Sequence, residues 1–233
     1  MRLKFLIEMA KKNQQEETIV DVQEVYTKTE VFVDKNRKIL TAVLLGIAIG
    51  VAGYFAYTRL FQLPKEKAAA ESMWKAEEYF SMDSLDLAMT GDDLDPGFEE
   101  IAREYGSTKA GLRANYYMGV IYRDRGEFSM ALEHFEKAAD LDDEAVSCFA
   151  IGNIGDMHIE LGDTDKAVKF FEKAARKSDN EFTRPLYLMK AARVHMELGN
   201  NDAAKKNFKE ITSDYPTASE FKDAQKYLAS LGG

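Results

Sequence analysis

Apolar positions along this chain fall into three regimes. In residues 1–38 they are mixed with charged and polar ones. Val22, Val25, Tyr26, Phe32 and Val33 recur at helical spacing, Thr29 fills the gap, and Glu24, Lys28, Asp34 and Lys35 lie opposite. That stripe suits a helix lying on a membrane surface or a partner, and equally a short helical lead-in. Residues 39–58, ILTAVLLGIAIGVAGYFAYT, hold no charged side chain. A helix of that length rises about 30 Å, the thickness of a bilayer's hydrocarbon core. From residue 59 onward, apolar residues recur on helical faces between charged ones.

The charge-free block predicts a membrane-spanning helix. Lys35, Arg37 and Lys38 bound one side; Tyr54, Phe55, Tyr57 and Phe61 with Arg59 bound the other, where aromatic rings favour the headgroup zone. A cleaved signal peptide is the rival, since Gly50-Val51-Ala52 has a small-x-small pattern. The polar lead of 38 residues is far longer than a signal peptide's, which favours an uncleaved anchor. Basic residues tie in number on the two sides. Three of them sit within four residues of the N-terminal end of the span, which favours a cytoplasmic N-terminus and an exported C-terminal domain. Ala42, Gly46, Gly50 and Gly53 share one face. Such spacing fits close packing on a second membrane helix, in a homodimer or with another anchored subunit; it also arises from the ordinary glycine content of membrane helices.

Residues 59–233 are self-similar. Met118-Gly119, Tyr122, Gly126, Ala131, Phe135 and Ala138 return 36 residues later as Ile154-Gly155, His158, Gly162, Ala167, Phe171 and Ala174. A further step of 37 gives Ala191-Ala192, His195, Gly199, Ala204, Phe208 and Ile211. The segments HFEKAAD, FFEKAAR and NFKEITS are cognate. Glycine marks a turn between two helices, so the spacing predicts pairs at 110–124 with 128–141, 145–160 with 164–178, and 182–198 with 202–213. Upstream, 72–105 reads as a degenerate unit whose second helix opens at Asp95-Pro96, preceded by a long helix over 65–82. Downstream, Phe221, Ala224, Leu228 and Leu231 behind Ser219 as N-cap predict a terminal helix covering the last unit.

This pattern resembles the tetratricopeptide repeat, a helix–turn–helix unit of 34 residues. The match lies in the small residues Gly119, Gly155 and Ala192, the turn glycines, and the Ala–x₃–aromatic–x₂ signature on each second helix. His158 and His195 depart from it, standing where an aromatic is usual. The resemblance implies an all-α solenoid with three clear repeats, one degenerate repeat and a capping helix. It also implies a protein-binding groove lined by the first helices. Carried onto this chain, that groove takes Arg113, Tyr116, Val120, Arg123 and Asp124, then Phe149, Gly152, Asn153, Asp156 and Glu160, then Leu186, Met189, Lys190, Arg193 and Glu197. The alternative for these positions is plain solvation or packing between units. Only Asn153 and Lys190 fit the Lys/Asn/Asn/Lys/Arg carboxylate clamp of some relatives, so that clamp is not expected.

Composition narrows the function classes. Residues 59–233 carry 23 basic and 33 acidic side chains, a poor surface for nucleic acid. Cys148 is the single cysteine, which removes any intramolecular disulfide or cysteine-based zinc site. His158 and His195 are spaced by the repeat rather than by ligand geometry, and His134 stands alone. No phosphate-binding glycine loop, nucleophile elbow or HExxH is present. No catalytic residue, metal or cofactor is expected.

The expected order is a tail over 1–38, a span over 39–58 and a repeat domain over 59–233. That order is similar to the YfgM-type ancillary subunit of the bacterial Sec translocon. The similarity implies a single-pass inner-membrane protein with its repeat domain in the periplasm. Its implied partners are the SecYEG channel, a PpiD-like anchored chaperone and membrane lipid, without nucleic acid. The alternative is a self-associating scaffold or adaptor in cell division or outer-membrane assembly.

Overall fold

The computed structural model describes residues 2–177 and 179–232, with side chains described from residue 30 onward. The tail positions Val22, Val25 and Tyr26 therefore lie outside the described side chains; Phe32 and Val33 are exposed. Among the described residues the fold is all-α, with one isolated β-bridge between Gly91 and Pro96. The chain divides into two compact units, residues 1–60 and 61–233.

The first unit is one long helix, α1 (Arg2–Tyr57), followed by a π-helical turn, Thr58–Gln62, that runs into the second. The apolar block within this helical stretch reaches a mean hydropathy of 2.2 and is long and apolar enough to cross a membrane. Ile39, Leu44, Leu45, Ile47 and Ile49 are all exposed.

The second unit stacks helices in antiparallel pairs. α2 (Leu63–Ser81), α3 (Leu85–Thr90) and α4 (Phe98–Glu104) come first. The pairs α5 (Lys109–Asp124) with α6 (Phe128–Ala138), α7 (Glu144–Glu160) with α8 (Thr164–Lys177), and α9 (Thr183–Glu197) with α10 (Asn201–Asp214) follow. A last helix, α11 (Phe221–Ser230), closes the stack. Each pair turns in the same way. Gly126, Gly162 and Gly199 adopt φ of 77°, 82° and 73°, which L side chains rarely take. At the first turn Gly126 N–H donates to the Arg123 carbonyl and Glu127 N–H to the Tyr122 carbonyl. The same two bonds recur at Gly162 and Gly199, satisfying carbonyls that the helix end would leave open. Thr108 and Asp143 cap α5 and α7, each accepting an N–H three residues on.

Packing follows the small residues. A methyl group on Gly119 would sit 2.7 Å from the Phe135 ring, and one on Gly155 would sit 2.6 Å from Phe171. Each ring thus lies flat on the first helix of its own unit. It also reaches forward: Phe135 clusters with Ile154 and Met157, and Phe171 with Tyr187, Leu188 and Ala191. Phe135, Phe171 and Phe208 are among the most deeply buried side chains. One polar-to-aromatic contact repeats with its partners exchanged. Tyr122 stacks on His134 at 5.3 Å, and at the equivalent positions His158 stacks on Phe170 at 5.3 Å. His158 thus does the packing of the aromatic it replaces.

The two ends differ from expectation in detail. The degenerate unit draws its first helix from Leu63, earlier than 72, and breaks its return path into α3 and α4. α4 opens at Phe98 behind Gly97 rather than at Asp95-Pro96, because Asp92 first folds the loop: its carboxylate accepts N–H groups from Leu94 and Asp95 and the Tyr79 hydroxyl. Those three donors pull the Asp92 pKa down to about 2. At the other end Ser219 is not the N-cap. Its hydroxyl donates to the Glu220 carboxylate, and Glu220 takes the N-cap position without a side-chain cap bond. α11 still covers the last unit, with Ala224 fully buried and Tyr227 stacked on Phe208 at 5.2 Å.

Candidate protein-binding face

The first helices of the three clear units, α5, α7 and α9, carry the predicted groove residues at helical spacing. Tyr116, Val120 and Arg123 follow one another at four and three residues, as do Phe149, Asn153 and Asp156. Side chains link these helices directly. Arg123 Nη1 donates to Asn153 Oδ1 at 2.9 Å, while its Nε and Nη2 donate to Asp124. Asn153 Nδ2 donates to the Phe149 carbonyl, which fixes the amide's orientation. One helix further on, Lys190 Nζ donates to both carboxylate oxygens of Asp156 at 2.7 Å. The same ammonium lies 5.4 Å from the Phe171 ring centre and 5.9 Å from that of Tyr187.

Tyr116, Arg123, Asn153, Asp156 and Lys190 thus lie in one polar row across three repeats, held by two separate links, Arg123 to Asn153 and Lys190 to Asp156. Burial comes first in raising the Tyr116 pKa, with Arg123 and Asn153 opposing it. The Lys190–Asp156 pair is about a third exposed on both sides, so solvent screens it and it adds about 0–1 kcal/mol to stability. Such a row orients charges more than it holds the fold. Phe149 is 37% exposed and Arg193 is exposed, so both are open to contact. Val120 is half-buried and packs toward the Phe135 cluster.

Other predicted positions serve the core or stand apart. Met189 is 8% exposed and belongs to the core between units, so it offers no contact surface. Gly152 is covered: a methyl group there would fall 2.1 Å from the Tyr187 ring. Arg113 reaches away from α7, to Glu77 of α2 at 3.9 Å. That pair marks what the repeat spacing missed. α2 continues the row of first helices, and between it and α5 lies an open groove of about 480 Å³ lined by Leu63, Ala70, Trp74, Glu77, Lys109 and Arg113. Trp74, the single tryptophan, is 58% exposed there. The chain leaves its helix through Asp83, at φ of 58°, where the later units have a turn glycine; Ala76 and Tyr79 stand at the small and aromatic positions of the repeat.

Elsewhere, Ala42 is exposed and Gly46, Gly50 and Gly53 have nothing within 4 Å of an added methyl group. His195 Nε2 lies 3.1 Å from a Glu172 carboxylate oxygen, and His158 Nδ1 lies 3.7 Å from Asp163. Cys148 is buried against the Ala174 carbonyl, and burial raises its thiol pKa, away from reactivity. Among the described residues no three His, Cys, Asp or Glu side chains gather to hold a metal ion.

Three stretches of the chain, residues 112–145, 150–176 and 187–218, match models of the tetratricopeptide repeat. Repeats of this kind make protein-interaction modules and are typically not enzymes. The crystal structure of PcrH from Pseudomonas aeruginosa aligns with 52% of this chain and 92% of its own, at 21% identity and a TM-score of 0.43. No curated protein matches the sequence.

Proposed function

We propose that this chain is a membrane-anchored docking protein of the bacterial envelope, an accessory subunit that works beside the Sec translocon with an anchored periplasmic chaperone. The observation that carries the docking role is the polar row from Tyr116 through Arg123, Asn153 and Asp156 to Lys190, continued by the Trp74 groove. Mixed charge beside exposed aromatic surface suits recognition of a peptide or helix. The anchor reading rests on the apolar helix, its exposed side chains and its flanking basic residues. Tethering beside a channel raises local concentration, so each contact with an emerging segment or chaperone can be weak. The Sec assignment rests on the similarity in order of parts: cytoplasmic tail, span, exported repeats.

A second reading, a self-associating scaffold in another envelope process, is favoured by the open face of Ala42, Gly46, Gly50 and Gly53. Purification of the full chain in mild detergent separates the two. Channel subunits and an anchored chaperone should travel with it, and recovery of the chain with itself alone sinks the translocon reading. Replacing Gly46 and Gly50 with Leu should lower complex yield if the small face pairs helices. A membrane-impermeant thiol reagent should label cysteines introduced beyond residue 60 from outside only.

A further inference from the structure

The second helices, α4, α6, α8 and α10, carry none of the polar row, and along them the charge changes sign. Residues 59–163 hold 10 basic and 23 acidic side chains, while residues 164–233 hold 13 basic and 10 acidic. The change is sharpest at one recurring position. The repeat brings Glu99 of α4 into register with Glu133 of α6, Lys169 of α8 and Lys206 of α10, and all four are exposed. The outer ridge of the stack thus reads two acids and then two bases.

Ion pairing inside the chain engages the charges that break this pattern. On the acidic helices Arg103 pairs with Glu100 at 3.5 Å and Lys137 with Glu133 at 2.7 Å. On the basic helices Glu172 faces Arg176 and His195, and Glu210 faces Arg184. The other acids there, Asp165, Asp202 and Asp214, stand in the first or last turn of their helix. Glu99 and Glu136, and likewise Lys169, Lys173, Lys206 and Lys209, have no ion-pair partner among the described residues. α6 and α8 run side by side. Phe170 of α8 packs on the cluster that holds Ala131 and Phe135 of α6, and Lys173 Nζ lies 5.9 Å from the Phe170 ring centre.

Neighbouring ridges of opposite sign are self-complementary. A two-fold axis parallel to α6 and α8, and between them, lays α6 of one copy over α8 of the other and α4 over α10. Every pair is then made twice. The same axis sets the strongly acidic part of each copy, residues 59–163, over the basic part of the other, which limits repulsion between two acidic chains.

We propose that the outer ridge of α4, α6, α8 and α10 docks a second copy of this chain, stacked in reverse, with Glu133 of one copy against Lys169 of the other and Glu99 against Lys206. This surface is distinct from the polar row and from the small-residue face of α1.

The test mixes isotope-labelled and unlabelled full chain in a non-ionic detergent and adds a carbodiimide, which joins a carboxylate to a lysine amine where the two touch. Mass spectrometry should find cross-links between copies from Glu133 to Lys169 and from Glu136 to Lys173, and molar salt should lower their yield at least about fivefold. Lys169→Glu with Lys206→Glu should lower the remaining Glu136–Lys173 cross-link at least about fivefold, because symmetry removes four weak pairs at once. Glu99→Lys with Glu133→Lys should do the same. Mixing these two variants should bring the cross-link back to near the parent's yield, since each then meets the opposite sign on the other. Both variants alter exposed side chains and leave the small-residue face untouched, and circular dichroism of each should match the parent. Cross-links confined to single copies overturn the proposal. So does a yield that salt and both reversals leave unchanged, or a mixture that pairs no better than either variant alone.

Discussion

The apolar block of α1 and the middle of α7 are built from the same parts and surrounded differently. Both are helices rich in isoleucine and glycine, with a glycine every three or four residues. In α7 the glycines are met from within the chain: Tyr187 lies over Gly152, Phe171 over Gly155, and Ile151, Ile154 and Met157 are buried between them. In α1 Gly46, Gly50 and Gly53 have nothing within 4 Å, and Ile47 and Ile49 are exposed. A small residue in a helix is half of a contact. The repeat domain supplies the other half itself, and the apolar block of α1 leaves its small residues uncovered.

The sharpest break of that comparison comes from truncating an apolar side chain in each setting. Phe171→Ala empties a site filled on one side by Gly155 and on the other by the next unit, and should cost about 3–5 kcal/mol. Leu44→Ala removes apolar surface that touches no core and should leave the thermal unfolding of the repeat domain unmoved. A comparable loss from both, measured by circular dichroism melts in detergent, would mean that the span is part of a folded core. Next in size is a charge in the span. Leu44→Arg should cost about 2.5–3.5 kcal/mol of membrane insertion, read as a fall in the membrane-integrated fraction. The same substitution would be nearly neutral if the exposed block faced water.

Much of the repeat domain was legible because its constraints recur. A turn that needs φ above zero asks for glycine, and a ring that lies on a helix asks for glycine or alanine beneath it, so three units wrote the same letters at the same spacing. The degenerate unit was harder to read because the same turn is made there by a residue other than glycine and its return path is irregular. α2 ends without a glycine turn, at Met82 and Asp83 with Asp83 itself at φ of 58°, and the return path is broken by the Asp92 loop. The helix that carries Trp74 was expected over 65–82, but not its place in the row of first helices. Within the candidate face, periodicity could say which residues share a side and not which of them a neighbour covers. Met189 and Lys190 are adjacent in sequence, yet one is core and the other holds Asp156.

A smaller effect sharpens the glycine comparison through its sign. Alanine is favoured over glycine inside a helix by about 0.5–1 kcal/mol. At Gly155 the new methyl group would meet the Phe171 ring at 2.6 Å, and overpacking of about 1–3 kcal/mol outweighs that gain, so Gly155→Ala should lower the melting temperature. At Gly50 nothing opposes the gain, and Gly50→Ala should leave the helix intact or firmer in monomeric detergent solution. Loss of stability at Gly50 would show that a second helix is seated there even in detergent.

The smallest expected effect is a pH dependence in the repeat core. His158 is 6% exposed on the Phe170 ring; burial lowers its pKa first, Lys166 adds to this, and Asp163 and Glu136 oppose it. The unfolded chain therefore binds a proton near pH 6.5 that the folded chain still refuses. Where the unfolded state holds more protons, stability rises with pH. This contribution is complete above pH 6.5 and declines as the pH falls from there toward the lowered value in the fold. Asp163, whose own pKa is lowered by Lys166, acts in a separate window below its ordinary value of 3.8. Melting temperatures of the full chain should hold level from pH 8 to 7 and then fall between pH 6.5 and 5. His158→Tyr, which restores the residue found at position 122, should flatten that fall. An undiminished fall in the variant would shift the effect to His134, the other histidine whose pKa burial lowers, and mutation of both should then abolish it.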